Sequence, residues 1–278
     1  PKLNLKNPEV EKFITDVACY WIRECDIDGW RMDVGDEISH FFWKNFRKAV
    51  KAVKKDMLII GEIWHYAGDF LEGDEWDTVM NYPFYLNMID LLADEKITVS
   101  QFIQNLGYLK GRLNKKCYPL MWNLIDSHDT ARFLHLCKNN KKKQHLAAAF
   151  QLLLPGMPMI YYGDEYAMPG ANDPDCRRGM YWDEEYQDKE MFEWYKQLLQ
   201  VRKKYKCIVE GELIEAITGD EEETIVLIRK NSEETMALIF NCSSSEKRFN
   251  EYEGKYNLLG EELFDGKVEG LDAAVIVL

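Results

Sequence analysis

The stretch from Asp26 to Glu37, Asp-Ile-Asp-Gly-Trp-Arg-Met-Asp-Val-Gly-Asp-Glu, lies between two segments of strong helical period. Ile27 to Val34 is short and partly apolar and reads as a buried parallel strand, so the chain must alternate strands with helices laid on them. Upstream, Asn7-Pro8 supplies a cap and a first-turn proline, and Val10, Phe13, Ile14, Val17, Ala18, Trp21 and Ile22 recur at helical spacing. Downstream, Ile38, Phe42, Phe46, Ala49, Val50 and Val53 trace a second stripe. The aromatic members of both stripes read as core. Arg31 and Asp33 leave the strand on one face, where the guanidinium keeps the carboxylate ionised. That suits a nucleophile, and it equally suits a structural Arg–Asp pair closing a barrel strand.

Two later stretches repeat the pattern. The apolar run Met57 to Ile60 closes on Gly61-Glu62-Ile63-Trp64-His65, and Asn123-Leu124-Ile125-Asp126-Ser127-His128-Asp129-Thr130 ends in a His-Asp pair. Strand ends that each present a carboxylate, with helices between them, describe the catalytic rim of a (β/α) barrel. Further strands are expected at Trp76 to Met80, Leu120 to Ile125 and Pro158 to Tyr162. Helices are expected at Tyr85 to Leu92, from Ser100 onward, at Lys142 to Leu154 and at Lys189 to Lys204. From about Tyr205 the period becomes alternating, with short strands at Glu212 to Thr218, Thr224 to Arg229, Met236 to Phe240, Tyr256 to Leu259 and Ala273 to Leu278. The fold class is therefore α/β, a partial (β/α)₈ TIM barrel of about strands 4–8 followed by a small all-β antiparallel sandwich. The expected domains are 1–204 and 205–278.

Gly29-Trp30-Arg31-Met32-Asp33, Gly61-Glu62-Ile63-Trp64 and Ser127-His128-Asp129, in that order, resemble the nucleophile, acid/base and third-carboxylate motifs of the alpha-amylase family of glycoside hydrolases. Met80-Asn81-Tyr82-Pro83-Phe84 and the segment Gly156 to Glu165 match further. Asn172-Asp173-Pro174-Asp175-Cys176-Arg177-Arg178, with Trp64-His65, is most similar to the neopullulanase, cyclomaltodextrinase and maltogenic amylase branch. The resemblance implies catalytic roles for Asp33, Glu62 and Asp129, and substrate contacts from Arg31, Trp64, His65, Asn81, His128, Asp173 and Arg177. Trp64 would be a stacking platform on the leaving-group side, or a core residue. Asp173 with Arg177 or Arg178 would touch a more distant sugar, or be an ion pair that pins a loop. Glu37 also matches, although a first-turn acid needs no functional explanation. Asp126 stands where a glycine is expected, and Gly35-Asp36 where Ala-Asn is usual.

The implied chemistry is hydrolysis with retention. Asp33 attacks the anomeric carbon while Glu62 protonates the departing oxygen, and water then enters with Glu62 as base. The implied substrates are maltodextrins, cyclodextrins or pullulan, cleaved at α-1,4 or also α-1,6 bonds. The competing readings are a non-catalytic sugar-binding or scaffold relative, against which the intact acids argue, and a specialised transglycosylase or 1,6-glucosidase. Only five barrel strands are read where a closed barrel has eight. The resemblance places the other three upstream of Pro1, so the isolated chain is expected to be inactive or feeble, with an open sheet edge at Ile27 to Val34.

A net charge of −13 argues against nucleic acid and anionic membrane as partners and says little about a neutral sugar. No run approaches the length of a membrane span. Seven scattered cysteines without a C-x-x-C pair read as reduced thiols in a cytoplasmic protein. No cofactor is called for and no residues have metal-ligand spacing; a calcium requirement is left open. A homodimer of the full-length protein is a further implication of the resemblance.

Overall fold

The computed structural model describes residues 3–278. In order the elements are α1 (Pro8–Cys25), β1 (Gly29–Met32), α2 (His40–Val53), β2 (Leu58–Gly61), β3 (Thr78–Val79), α3 (Tyr82–Met88) with a π turn at Ile89–Ala93, α4 (Val99–Arg112), β4 (Trp122–Asn123), α5 (Phe133–Leu136), α6 (Lys141–Leu153), β5 (Met157–Pro158), α7 (Lys189–Lys204) and α8 (Cys207–Glu210). Then follow β6 (Glu212–Gly219), β7 (Thr224–Lys230), β8 (Thr235–Asn241), β9 (Lys247–Arg248), β10 (Tyr256–Asn257), β11 (Glu262–Leu263), β12 (Lys267–Val268) and β13 (Asp272–Val277). The chain falls into two compact units, Pro1–Pro83 with Lys110–Trp122, and Phe84–Leu109 with Asn123–Leu278. Among the described residues no helix is long and apolar enough to cross a membrane.

In the first unit β1, β2 and β3 form a parallel sheet in that order. Arg31 pairs with Ile60 and Met32 with Gly61, which in turn pairs with Val79. Asp77 holds this register by accepting from the Ile59 amide at 2.9 Å while pairing with Arg47 at 2.8 Å and Lys51 at 2.9 Å from α2. Asn7 caps α1 by accepting from the Glu9 amide, and Pro8 follows at the first turn. α2 buries Phe42, Trp43, Phe46 and Val50.

α1 departs from expectation. Ala18, Cys19 and Ile22 are buried, but Phe13, Val17 and Trp21 are exposed. The reason is geometric: β1 is the edge of its sheet, so the outer part of the apolar stripe has no strand beneath it.

The second unit has its core where α6 and α7 meet the antiparallel sheet. Phe150 of α6 packs edge-on to Phe102 at 5.1 Å and stacks on Phe240 of β8 at 4.2 Å. α6 is buried almost all round from Gln144, so it lacks the one-sided stripe of a surface helix. The sheet runs β11-β10-β13-β8-β7-β6, with β12 pairing β9 apart from it. β4 and β5 are two-residue pieces of the longer apolar runs read as strands, and β3 is similarly short. Beyond Pro158 the ladder ends because the backbone turns, the Asp164 amide returning to the Tyr161 carbonyl at 3.1 Å.

Candidate active site

The two acids of the first unit arise from one register. Beyond the paired strands the ladder continues for a residue each way: the Glu62 amide donates to the Met32 carbonyl at 2.9 Å, and the Gly35 amide to the Glu62 carbonyl at 3.1 Å. The carboxyl ends of β1 and β2 are thereby level, with Asp33 following one and Glu62 the other.

Arg31 serves both. Its Nη1 donates to Oδ1 of Asp33, and its Nη2 lies 3.0 Å from Oε1 of Glu62, an ion-pair approach off the hydrogen-bond axis. One guanidinium fork thus faces two carboxylates in contrasting surroundings: the Asp33 side chain is 76% exposed and that of Glu62 5%. Glu62 has two further donors, the Val34 amide on Oε2 at 2.8 Å and the Trp64 indole on Oε1 at 3.4 Å.

The Val34 amide reaches Glu62 because Val34 adopts a left-handed backbone, φ 45°. For a β-branched residue this conformation is strained. Val34 is exposed, so Val34→Gly removes little packing. The substitution is expected to leave stability level or raise it by about 1 kcal/mol, read as a rise of a few degrees in Tm. A fall of several degrees would show that the strain is absent.

Under the two acids lies Trp76, fully buried, stacked on Phe70 at 4.2 Å and edge-on to Trp43 at 5.6 Å. Its ring fills the space a side chain would need at Gly35 and Gly61. The Trp43 indole donates to the Gly35 carbonyl at 2.9 Å, fixing the turn after Asp33 from below.

The remaining predicted residues of this unit are placed as follows. Trp64 stacks on buried Tyr82 at 4.3 Å and keeps 44% of its surface exposed. His65 turns to Asp36, Nε2 to Oδ2 at 3.1 Å, so it is tied to the loop after Asp33. Asn81 is buried, its amide donating to the Trp122 carbonyl at 2.8 Å.

In the second unit His128 and Asp129 sit in a turn closed by Ser127 and Thr130, with the Asp129 amide on the Ser127 hydroxyl at 3.2 Å. Asp129 pairs with His128 at 3.2 Å and with Nη2 of Arg177 at 3.3 Å. Arg177 also donates through Nε to the His128 carbonyl at 2.8 Å and pairs with Asp173 at 3.1 Å. Arg178 turns instead to Asp175 at 2.6 Å. Asp173 and Arg177 therefore pin the turn that presents Asp129. Among the described residues no three His, Cys, Asp or Glu side chains are grouped to hold a metal ion.

Sequence reasoning missed the group behind this turn. Arg132 and Asp164, both fully buried, pair at 3.0 Å, and Arg132 lies over the Tyr161 ring at 4.5 Å. An arginine three residues past Asp129 and an aspartate ending an apolar run were the available signals. Tyr82, Asp36 and Trp76 were also missed as supports, since no local pattern says which side chains they touch.

Parallel strands alternating with helices, acids at the strands' carboxyl ends and an antiparallel β region later in the chain define the (β/α)-barrel class, here a part of the barrel followed by its β domain. The chain belongs to the alpha-amylase family: the family's model, described as alpha amylase, catalytic domain, matches residues 1–187. A cyclomaltodextrinase from Geobacillus thermopakistaniensis is 43% identical over 276 residues, 98% of this chain and 47% of that protein. An intracellular maltogenic amylase from Bacillus subtilis is 43% identical over 242 residues, 87% of this chain and 41% of that protein. A solved cyclomaltodextrinase structure superposes with a TM-score of 0.93 at 33% identity, covering 99% of this chain and 50% of that one. The chain thus spans about half the length of the relatives it matches.

Proposed function

We propose that the whole protein is a retaining alpha-glucan hydrolase that cleaves α-1,4 bonds, with α-1,6 bonds as a further target, in maltodextrins, cyclodextrins or pullulan. The observation that carries the reading is the Arg31 fork shared between Asp33 and Glu62. An exposed carboxylate held by a guanidinium suits attack on the anomeric carbon, and a buried carboxyl beside it suits proton transfer to the leaving oxygen. Asp33 is accordingly the nucleophile and Glu62 the acid and then the base. Asp129 and His128, steadied by Arg177, are assigned to the hydroxyls of the reacting sugar, contacts that tighten as the ring flattens. Trp64, its far face open, is the platform for the leaving-group sugar. Arg31, His65, Asn81 and Asp173 complete the substrate-facing set, Asp173 and His65 through the residues they hold.

Residues 1–204 are proposed as barrel and 205–278 as the β domain. The free cysteines and the name of the Bacillus relative support a cytoplasmic protein, and a homodimer is proposed for the whole protein.

The test is ¹H NMR of products released by the whole protein from maltotriose, cyclodextrin, starch and pullulan. The α-anomer is expected first from at least one of them. Release of the β-anomer, or no turnover of all four, would overturn the reading. Glu62→Gln is expected to lower turnover of these substrates by about 10³-fold. On an aryl glycoside whose leaving group needs no proton the loss should be far smaller. Equal losses on both substrates would remove Glu62 as the acid.

A further inference from the structure

The aspartate that departs from the resembled pattern, Asp126, is 1% exposed and belongs to a charge arrangement the proposed chemistry does not use. Its Oδ1 accepts from the Phe133 amide at 2.5 Å, so the carboxyl bridges the ends of the loop that carries His128 and Asp129. Its Oδ2 has no donor, and neither has Oδ2 of Asp164, although the two side chains are in hydrogen-bonding contact. Oδ1 of Asp164 is taken by Arg132, whose own amide donates to the Gly170 carbonyl at 2.9 Å. The other titratable groups that act on the pair are Arg132, Cys137, Glu165 and Tyr195.

Charge counting decides the protonation. One buried guanidinium neutralises one buried carboxylate, and a second ionised carboxylate in the same dry space is too costly to keep. Since Asp164 has the arginine, the proton belongs mainly to Asp126, which donates it to Asp164. We propose that Asp126 is a positioning residue for Asp129: one proton held between the carboxyls of Asp126 and Asp164 closes the loop 126–133, and its release to solvent loosens that loop.

Burial raises both groups, helped at Asp126 by the charge of Asp164; burial pushes Asp164 up to about 7 against the hydrogen bond from Asp126 and the charge of Arg132, which lower it. The folded chain holds the proton more tightly than the unfolded one. The stability it contributes is therefore whole below about pH 4, where aspartate titrates in an unfolded chain, and is lost as the pH rises through the raised range of Asp126, beyond that in which Asp164 ionises.

Asp126→Asn tests this, because the amide keeps both bonds, accepting from Phe133 and donating to Asp164, with no proton to lose. In the whole protein, amide exchange at Ser127, Asp129 and Thr130, corrected for its intrinsic pH dependence, is expected to lose about tenfold protection from pH 7 to pH 9. In Asp126→Asn protection should stay level. Asp164→Asn, which deprives Arg132 of its partner, should lose protection at both pH values.

A wild-type loop equally protected at pH 7 and pH 9 would overturn the proposal, as would Asp164→Asn being tolerated as well as Asp126→Asn. None of these readings needs catalysis, so they stand apart from the glycosidase reading, on which only the activity arm rests. In that arm, the ratio of Asp126→Asn to wild-type kcat/KM should rise about fivefold from pH 7 to pH 9. A flat ratio would sink the link to Asp129.

Discussion

Asp33→Ala in the whole protein is expected to lower kcat for α-glucan hydrolysis by about 10⁴-fold or more while leaving Tm within a degree or two. The two halves of that expectation come from the same geometry. The Asp33 side chain is 76% exposed and has Arg31 as its ion-pair partner, so its loss creates no cavity and strands no buried charge. Exposed ion pairs contribute little to stability. Its chemical loss is complete, because no other carboxylate follows β1 at that place: Asp36 is turned to His65, and Glu62 is needed as the acid.

A second readout separates a missing nucleophile from a merely damaged site. With azide present and an aryl α-glucoside as substrate, the variant should form the β-glucosyl azide. The bond from C1 to the aryl oxygen breaks on one face as the bond to nitrogen forms on the other. Full hydrolytic activity in Asp33→Ala would end the mechanism proposed for this protein.

The largest effect on stability is expected at Gly61. A Cβ built there would stand 2.3 Å from Cε3 of Trp76, a distance no packed core tolerates. The indole has no free direction to move: it is fully buried, stacked on Phe70 and edge-on to Trp43. The backbone is equally held, since Gly61 pairs with Met32 on one side and Val79 on the other. Gly61→Ala should cost about 3 kcal/mol, at the upper end for overpacking. In thermal unfolding that is a fall of roughly 6–12 °C for a chain of this size.

Gly107→Ala is the matched control. It lies within α4 with nothing within 4 Å of the added carbon, so the same change should stabilise slightly through helix propensity. If the two variants unfold at the same temperature, Trp76 is not the wedge described. Because Gly61 directly precedes Glu62, the destabilised variant should also lose turnover before it unfolds.

How much of this was legible in the residues varies by element. α7 is found over the span its period predicts, Lys189–Lys204, because a long amphipathic segment with a capping Asp188 states its own ends. The long strands of the β domain follow their alternation to within a residue or two. The short barrel strands were overdrawn, since an apolar run says what is buried and not how long the backbone stays paired. Trp76 illustrates this: it was read into a strand and serves as the packing wedge before one. Phe13, Val17 and Trp21 carry a helical stripe that the first unit does not cover, so period located the helix and overstated its core.

For the candidate site, local sequence proposed the acids and stopped at their partners. Arg31 and Asp33 are neighbours on one strand, and their contact follows from a two-residue spacing. That the other arm of the same guanidinium approaches Glu62, 31 residues further on, depends on β1 and β2 pairing in one register and no other. The amide of Val34 on Glu62 depends on a left-handed turn that a valine does not advertise.

Sequence by itself determined the alternation of strands and helices, the change to an antiparallel β region and the residue types able to do acid chemistry. These are written in local period and composition, which short-range sterics and burial translate directly. Tertiary structure alone decided which charges meet: Arg31 between two acids, Arg177 on the Asp129 turn, and Arg132 leaving Asp126 and Asp164 one proton to share. Such pairings join residues dozens of positions apart, and their energies are set by distance and burial, quantities that come into being only when the chain has folded.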